Sequence, residues 1–392
     1  MFDVIVVGMG PGGAVAAAEL GRAGLSVLGL EWRALPRYKV CGGGLSARID
    51  RVLEPDYRHV VEKTIHTVQF QIAGAEPFQV ASSEPIAYMV MRDRFDAHLV
   101  RKAREAGVLV REEERAVTVS AIPEGVEVVT GQGRYRGKVV VGADGAMSLV
   151  ARSLFPGRRG RLMTGLEGEV AGGQRMSLME TGTIVLDTGV LRGGYAWVFP
   201  KEGGLSVGVA EFQGRERSAK GGYDRFVERE PTLAGLAGAK RRGHPIPLYG
   251  GTRSERTRLA TDRALLVGDA AHLVDPLFGE GIYYAALSGR MAARSIVDLL
   301  RGETGDLKAY EEQIARDIYP EFRIASRIAW VLYTFPRVSH RLIRSRPDII
   351  HFFYDVLKGR ESYQTFYAKV GGEAKISFPT LLRHAFTAAF SG

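Results

Sequence analysis

The chain has 392 residues, of which 45% are hydrophobic, 25% charged and 9% aromatic, with 49 glycines and one cysteine, Cys41. This composition excludes an intrinsically disordered or collagen-like protein, and the length favours two or three subdomains over a single core. A lone cysteine excludes an intrachain disulfide and a cysteine-based zinc site, and we expect no metal.

Basic residues are in excess, with 53 Lys and Arg against 44 Asp and Glu and a formal net charge of +9. They are spread through the chain without zinc-finger or helix-turn-helix context, so we expect no nucleic-acid partner. No basic leader precedes the first apolar run, and no stretch of about 20 consecutive apolar residues occurs. We therefore expect a cytoplasmic monomer, and leave open peripheral contact with the inner face of the membrane.

The N-terminal segment has the pattern strand, glycine turn, helix and second strand. Residues 2–7 are typical of a buried parallel strand, and a G-x-G-x-x-G motif follows directly over 8–13. Its glycines allow a tight turn, close approach to a pyrophosphate, and packing of the helix on the strand. A second strand over 25–30 ends in an acid, where a carboxylate can accept adenosine ribose hydroxyls. The segment predicts a site for NAD or FAD at Gly8, Gly10, Pro11, Gly12, Gly13, Ala14, Glu31, Trp32 and Arg33.

Two later segments favour a flavin over a nicotinamide. Residues 138–145 form an apolar run that ends in Gly-Ala-Asp-Gly, and residues 264–272 form another that ends in Gly-Asp-Ala-Ala-His. Small and apolar residues at helical spacing over 282–300 then predict a long helix. Asp269 can hold a ribityl hydroxyl, and a helix N-terminus near Gly279 can face the flavin edge that becomes negative on reduction.

The combination of these motifs resembles the flavoprotein superfamily that contains para-hydroxybenzoate hydroxylase. Residues 92–99 are similar to its R-x-x-F-D-x-x-L helix, which places Arg92 near the isoalloxazine and ribityl chain. The resemblance implies FAD, with NAD(P)H or ferredoxin as a transient electron donor, since the chain has no second G-x-G-x-x-G motif. Further FAD contacts that it implies are Cys41, Gly42, Gly43, Arg92, Ala116, Val117, Asp144, Gly145, Gly268, Asp269, Pro276, Gly279, Gly281 and Ile282.

Within this superfamily the chain resembles the geranylgeranyl reductase family. Residues 39–45 are similar to its K-x-C-G-G-G loop, 195–201 to its Y-x-W-x-F-P signature, and 279–282 to its G-E-G-I. The family's proline three residues before the tyrosine is replaced here by Arg192, so the substrate within the family stays open.

The predicted fold class is α/β (α+β overall), with a Rossmann-like FAD-binding domain, an inserted antiparallel β-sheet substrate domain and a C-terminal helical region. Period-two patterns over 65–90 and 161–211 predict that the inserted sheet has one wet face. Aromatic residues and arginines are interspersed over residues 324–343. Such a segment either rests on anionic lipid headgroups or forms a helical cap whose arginines are exposed to solvent. The predicted domains are 1–62, 88–160 and 250–305 for FAD, 63–87 and 161–249 for the substrate, and 306–392 for a helical cap.

The resemblance implies reduction of C=C bonds in a geranylgeranyl or other isoprenoid chain, carried on a lipid, a diphosphate or a quinone. Tyr195, Trp197 and Phe199 alternate along a strand, so they face either a core or an apolar wall above the flavin. We predict that Tyr195 and Trp197 line a substrate tunnel. We also predict that Cys41 lies near flavin N5 and positions or protonates the substrate; otherwise it is a small packing residue.

The alternative function is that of an aromatic monooxygenase or halogenase of the same superfamily. Halogenases carry a related aromatic segment and a lysine that reaches into the tunnel, and the sequence offers no obvious lysine partner. His244 and His272 have no ligand partners at suitable spacing, so we predict that both are structural or solvent-facing.

Overall fold

The computed structural model describes residues 1–72, 75–158, 160–171, 181–212, 219–230, 233, 240–251 and 257–374. The predicted ranges 161–249, 250–305 and 306–392 each extend into residues outside this set. The strands are β1 (Phe2–Val7), β2 (Val27–Leu30), β3 (Gly44–Ser46), β4 (Val61–Ile65), β5 (Thr67–Gln71), β6 (Phe78–Ala81), β7 (Ala87–Val90), β8 (Leu109–Arg111), β9 (Ala116–Ile122), β10 (Gly125–Thr130), β11 (Arg134–Gly142), β12 (Arg161–Ala171), β13 (Thr183–Asp187), β14 (Gly194–Pro200), β15 (Gly204–Glu211), β16 (Arg241–Leu248) and β17 (Ala264–Leu266).

Ten α-helices lie within the described residues, together with short 3-10 turns at 47–51, 55–60 and 268–271. The helices are α1 (Pro11–Arg22), α2 (Arg92–Glu105), α3 (Leu149–Leu154), α4 (Ala219–Arg229), α5 (Ile282–Leu300), α6 (Lys308–Asp317), α7 (Tyr319–Thr334), α8 (Pro336–Ser345), α9 (Pro347–Leu357) and α10 (Tyr363–Ala374).

The first sheet is the dinucleotide-binding type that the N-terminal motif predicts. Its order is β8-β2-β1-β11-β10-β9, with β17 beside β11. Strands β8, β2, β1, β11 and β17 pair in parallel, whereas β10 and β9 extend the sheet as antiparallel strands. Helices α1 and α5 approach closely, since a Cβ on Gly289 would lie 2.4 Å from the Gly12 carbonyl oxygen. The mixed α/β fold class is confirmed.

The second sheet has the order β16-β12-β15-β14-β13-β5-β6, and all its pairs are antiparallel except β13 with β5. The prediction of one wet face is wrong for its central strands, because every residue of β15 is buried. Tyr223 and Phe226 of α4 pack on one face. On the other face, Trp197 joins a cluster that includes Tyr333 and Phe353 from the C-terminal helices.

The C-terminal helices are tied to the rest of the molecule by tyrosine hydroxyls. Tyr354 donates to the Val80 carbonyl oxygen (2.7 Å) and Tyr363 to the Asp275 carboxylate (3.0 Å). The basic aromatic segment 324–343 is divided between α7 and α8, because Pro336 begins a new helix. In the part of the chain that the structure describes, no helix is long and apolar enough to cross a membrane.

Candidate active site

One cavity of about 2080 Å³ connects the glycine turn after β1 to the C-terminal helices. At one end its wall includes Gly8, Glu31 and Asp144 of the first sheet. At the other end it passes between the second sheet and helices α7 to α10, where the wall includes apolar residues such as Leu332 and Phe353. A dinucleotide cradle and an apolar arm are therefore parts of one space.

The glycine turn leaves room for a phosphate at its second glycine. Gly8 has φ +95°, and a Cβ on Gly13 would lie 1.9 Å from the Gly8 carbonyl oxygen, so these positions require glycine for the turn and its packing. A Cβ on Gly10 would meet only an Arg37 side-chain atom, at 3.9 Å. Helix α1 starts at Pro11 without a side-chain cap, so the Gly12 amide in the cavity wall is not paired with a capping side chain.

Glu31 is buried at the end of β2, with 1% of its surface exposed. Its carboxylate accepts hydrogen bonds from the Arg33 amide (3.3 Å) and the Arg37 guanidinium (3.1 Å). Arg37 also forms an ion pair with Asp96 at 2.8 Å, so it links Glu31, which follows β2, to helix α2. Sequence reasoning found Glu31 but missed Arg37, because no spacing rule predicts a partner from a loop.

A second uncapped helix faces the same cavity at α5. Gly281 precedes the helix without a side-chain cap, and Gly279 has φ +65°. The Asp269 carboxylate lines the cavity and makes no hydrogen bond within the described residues. Burial raises the pKa of Asp269, and the positive charges of Lys39 and Arg92 oppose this rise. An acceptor left free in this position fits a ribityl hydroxyl.

Most of the predicted FAD contacts lie in the cavity wall, and three do not. Gly13 and Ala14 are buried within α1, and Pro276 lies in the loop that precedes α5; none of the three lines the cavity. Asp144 does line the cavity, but its carboxylate accepts the Leu149 and Val150 amide hydrogens and so caps α3. The predicted contacts in the wall are Gly8, Gly10, Pro11, Gly12, Glu31, Trp32, Arg33, Cys41, Gly42, Gly43, Arg92, Ala116, Val117, Asp144, Gly145, Gly268, Asp269, Gly279, Gly281 and Ile282.

The cysteine loop packs closely against the aromatic strand β14. A Cβ on Gly42 would lie 3.0 Å from the Phe199 ring and 3.1 Å from Trp197 Nε1, so a larger residue would push the loop away. The Lys201 ammonium donates to the carbonyl oxygens of Gly42 and Val90, both at 2.8 Å. The loop is thus held from behind, while Cys41 lines the cavity.

Tyr195, Trp197 and Phe199 all line the cavity. The Tyr195 hydroxyl donates to the Phe278 carbonyl oxygen at 2.6 Å, and its ring stacks on Phe212 at 5.5 Å. These rings form an apolar wall between the cysteine loop and the C-terminal helices.

The sequence analysis did not place two further polar side chains in this wall, and it predicted that His244 is structural or solvent-facing. Lys39 and His244 line the cavity and contact each other through Nζ and Nε2, so His244 is a cavity residue and Lys39 is a lysine within the tunnel. Burial lowers the pKa of Lys39 to about 8 and that of His244 to about 3. Lys39 stood in the recognised loop motif, but motif spacing does not tell which way a side chain points. His272 is also partly buried, away from this wall.

Comparison of the sequence with known proteins agrees with a dinucleotide site in the cavity. The FAD binding domain family matches residues 1–317. Digeranylgeranylglycerophospholipid reductase 1 of Methanopyrus kandleri is 32% identical over 84% of this chain and 90% of its own. The corresponding reductase of Thermoplasma volcanium is 31% identical over 75% of this chain and 77% of its own. The chain belongs to the geranylgeranyl reductase family of FAD-dependent oxidoreductases.

Solved structures of this reductase family and of halogenases share the fold. A geranylgeranyl bacteriochlorophyll reductase-like protein from Thermoplasma acidophilum aligns with TM-score 0.72 and 24% identity, over 85% of this chain and 88% of its own. A flavin-dependent brominase aligns with TM-score 0.72 and 21% identity, over 95% of this chain and 99% of its own. At these identities the likeness shows the fold alone.

The free acceptor at Asp269 and the uncapped ends of α1 and α5 fit FAD as the cofactor.

Proposed function

We propose that this reductase saturates C=C bonds in geranylgeranyl or other isoprenoid chains carried on a lipid, a diphosphate or a quinone. The observation that carries the proposal is the single cavity in which the dinucleotide cradle opens directly into an apolar arm. The arm suits a prenyl chain because its walls are aromatic and aliphatic. The relatives whose names specify digeranylgeranylglycerophospholipid support the lipid-bound form.

We propose that the first sheet binds the cofactor, that the second sheet binds the substrate, and that helices α6 to α10 form a cap over the apolar arm. We also propose that the enzyme works as a cytoplasmic monomer that contacts the inner face of the membrane. NAD(P)H or ferredoxin would be its transient electron donor.

FAD held by the glycine turn at 8–13 and by Asp269 would supply hydride chemistry in its reduced state. The residues of the chain then have three tasks. Tyr195 and Trp197 present aromatic faces that stabilise positive charge on the carbon that bears it in the transition state. Cys41 holds the proton for the other carbon, and the stacked rings around Tyr333 exclude water.

The test uses the purified yellow protein, reduced under anaerobic conditions. Geranylgeranyl diphosphate, a digeranylgeranyl glycerophospholipid and a menaquinone are then offered separately. We expect at least one of them to reoxidise the flavin and to gain two hydrogens for each reduced bond, seen by absorbance and mass spectrometry. Failure of all three to reoxidise the flavin would contradict the proposed function.

A halogenase is the second candidate because Lys39 lies in the cavity. The two functions differ in their need for oxygen. A reductase turns over without oxygen, whereas a halogenase needs oxygen and a halide and yields a halogenated product. Lys39→Met would abolish halogenation, whereas prenyl reduction by this variant would continue.

A further inference from the structure

The loop of residues 275–281, here named the cofactor loop, leads into helix α5. Gly279 and Gly281 of this loop line the cavity. A Cβ on Gly281 would lie 3.4 Å from Asp269 Oδ1, so the loop lies beside the free acceptor of the cradle. The position of the cofactor loop therefore decides the shape of the cradle at this end.

Two tyrosines of the C-terminal helices hold the cofactor loop. Tyr333 of α7 donates its hydroxyl hydrogen to the Leu277 carbonyl oxygen. Tyr363, the first residue of α10, donates to Asp275 Oδ2 at 3.0 Å. Asp275 Oδ1 in turn accepts the amide hydrogens of Leu277 and Phe278, at 2.8 Å and 2.9 Å. The two hydroxyls thus act on the same turn of the chain, one directly and one through the Asp275 carboxylate.

Both tyrosines and the aspartate are shielded from water. Tyr363 and Asp275 have 0% of their surface exposed, and Tyr333 has 4%. Burial raises the pKa of both tyrosines well above the ordinary value, so both hydroxyls keep their hydrogens. An acceptor that lost its donor here would have no water to replace it, so each of these hydrogen bonds is costly to remove.

Other contacts hold the rest of the cofactor loop. Glu280 forms a buried ion pair with Arg48, and the Ser46 amide of β3 donates to the same carboxylate at 3.3 Å. Tyr195 of β14 donates to the Phe278 carbonyl oxygen at 2.6 Å. Loss of one hydroxyl from α7 or α10 should therefore displace the loop without unfolding it.

We propose that Tyr333 and Tyr363 are positioning residues for FAD, which keep the cofactor loop in the place that the bound cofactor needs. Each acts through the loop and needs no contact with FAD itself. Both lie beyond residue 317, where the match to the FAD binding domain family ends, so the C-terminal helices complete a site that the matched domain begins. The inference goes beyond the proposed function, because it concerns the cofactor and holds for any substrate.

Loss of one hydroxyl should weaken FAD binding by displacing the cofactor loop in part of the molecules. A buried hydrogen bond of ordinary strength changes such a population by roughly three- to tenfold. FAD binds only the molecules whose loop is in place, so its apparent dissociation constant rises by the inverse of their fraction. A change from tyrosine to phenylalanine keeps the ring, so the apolar wall beside the loop keeps its shape.

The first test compares Tyr333→Phe and Tyr363→Phe with Tyr354→Phe, which is the matched control. Tyr354 of α9 is also a buried tyrosine of the C-terminal helices, but its hydroxyl donates to the Val80 carbonyl oxygen on β6, at 2.7 Å. FAD is titrated into each apoprotein, and the quenching of flavin fluorescence is measured. We expect the dissociation constant of FAD to rise roughly three- to tenfold in Tyr333→Phe and Tyr363→Phe, and to stay within about twofold of the wild type in Tyr354→Phe.

Urea unfolding of the same apoproteins separates positioning from a general loss of stability. Each of the three variants loses one buried hydrogen bond, so their unfolding midpoints should fall by similar amounts. If Tyr333→Phe does not fold, Tyr363→Phe carries the same test. Wild-type FAD affinity in the variants of α7 and α10, or an equal loss of affinity in Tyr354→Phe, would overturn the proposal.

The reduction potential of bound FAD gives a readout that stability does not move. The N-terminus of α5 stabilises negative charge, and a displaced cofactor loop takes this end of the helix away from the cofactor. We expect a lower potential in Tyr333→Phe than in the wild type, and an unchanged potential in Tyr354→Phe, measured by equilibration with a reference dye. An unchanged potential in Tyr333→Phe would overturn the proposal. None of these measurements uses an isoprenoid, so they decide the role of the two tyrosines whether or not the proposed function holds.

Discussion

At the scale of single residues, Cys41 carries the sharpest prediction. Its thiol lines the cavity and accepts a long hydrogen bond from the Gly43 amide, at 3.4 Å, so the group faces the space proposed for a substrate. We expect Cys41→Ala to keep full FAD occupancy and to reoxidise with substrate roughly 10² to 10⁴ times more slowly, because the acid is gone. Stopped-flow absorbance measures this rate. Wild-type turnover by a fully flavinated Cys41→Ala would remove the residue from the mechanism.

The glycines of the first turn allow a second residue-scale prediction, since two of them differ in what a methyl group would meet. Gly10→Ala adds a Cβ with only Arg37 within 4 Å, at 3.9 Å, so the apoprotein should keep its stability and lose FAD affinity. Gly13→Ala would place its Cβ 1.9 Å from the Gly8 carbonyl oxygen, so it should lose stability as well, by roughly 1–3 kcal/mol. Urea unfolding of the apoproteins and flavin titration check both. Equal stability losses in the two variants would contradict this division.

At the scale of elements, the sequence pattern predicts the position of a strand well where both faces of the strand are buried. The predicted β1 coincides with the observed strand, and Glu31, which follows β2, lies in the cavity wall. Patterns failed where tertiary packing decides. Strand β15 alternates in composition, but α4 covers one of its faces and Trp197 covers the other. The position of the Lys39 side chain in the cavity was missed for a similar reason, because it depends on contact with His244, which is distant in the chain.

Helices α7 and α8 supply the element-scale prediction. Trp330 is 44% exposed, and Arg337 and Arg341 are exposed on the next helix. We expect the protein to sediment with vesicles that contain phosphatidylglycerol and to release them in high salt. The double variant Arg337→Glu/Arg341→Glu should bind at least about tenfold more weakly, since each basic residue near the surface contributes about 1 kcal/mol.

A matched double variant distinguishes this surface from a general charge effect. Arg294→Glu/Arg301→Glu makes the same charge change at two other exposed arginines, within and just after α5. Binding that falls equally in both variants would indicate that net charge, and not α8, attracts the vesicles.

At the scale of the whole molecule, stability should depend on pH through partly buried histidines. Burial lowers the pKa of His272 to about 4, and the nearby positive Arg158 adds to the effect. The unfolded chain therefore binds a proton below about pH 6.5, while the folded chain resists it, so stability falls as pH drops from about 6.5 to 4. His244 acts in the same direction. His272→Asn removes one of these groups and tolerates the left-handed backbone at φ +59°.

The midpoint of urea unfolding at pH 7 and pH 4.5 measures this effect. We expect the midpoint of His272→Asn to fall less between the two pH values than that of the wild type. His351→Asn replaces an exposed histidine on α9 and serves as the control. A pH dependence of His272→Asn equal to that of the wild type would show that His272 does not destabilise the fold in acid.

The continuous cavity also imposes an order of assembly. Because the cradle and the apolar arm share one volume, FAD held in the cradle would close one end of the space that we propose for a prenyl chain. If a lipid tail bound before the flavin, it could occupy the part of the cavity that the flavin ring needs. We therefore predict that the flavin must bind before the lipid, and that expression in flavin-poor cells yields protein with lipid bound in the cradle.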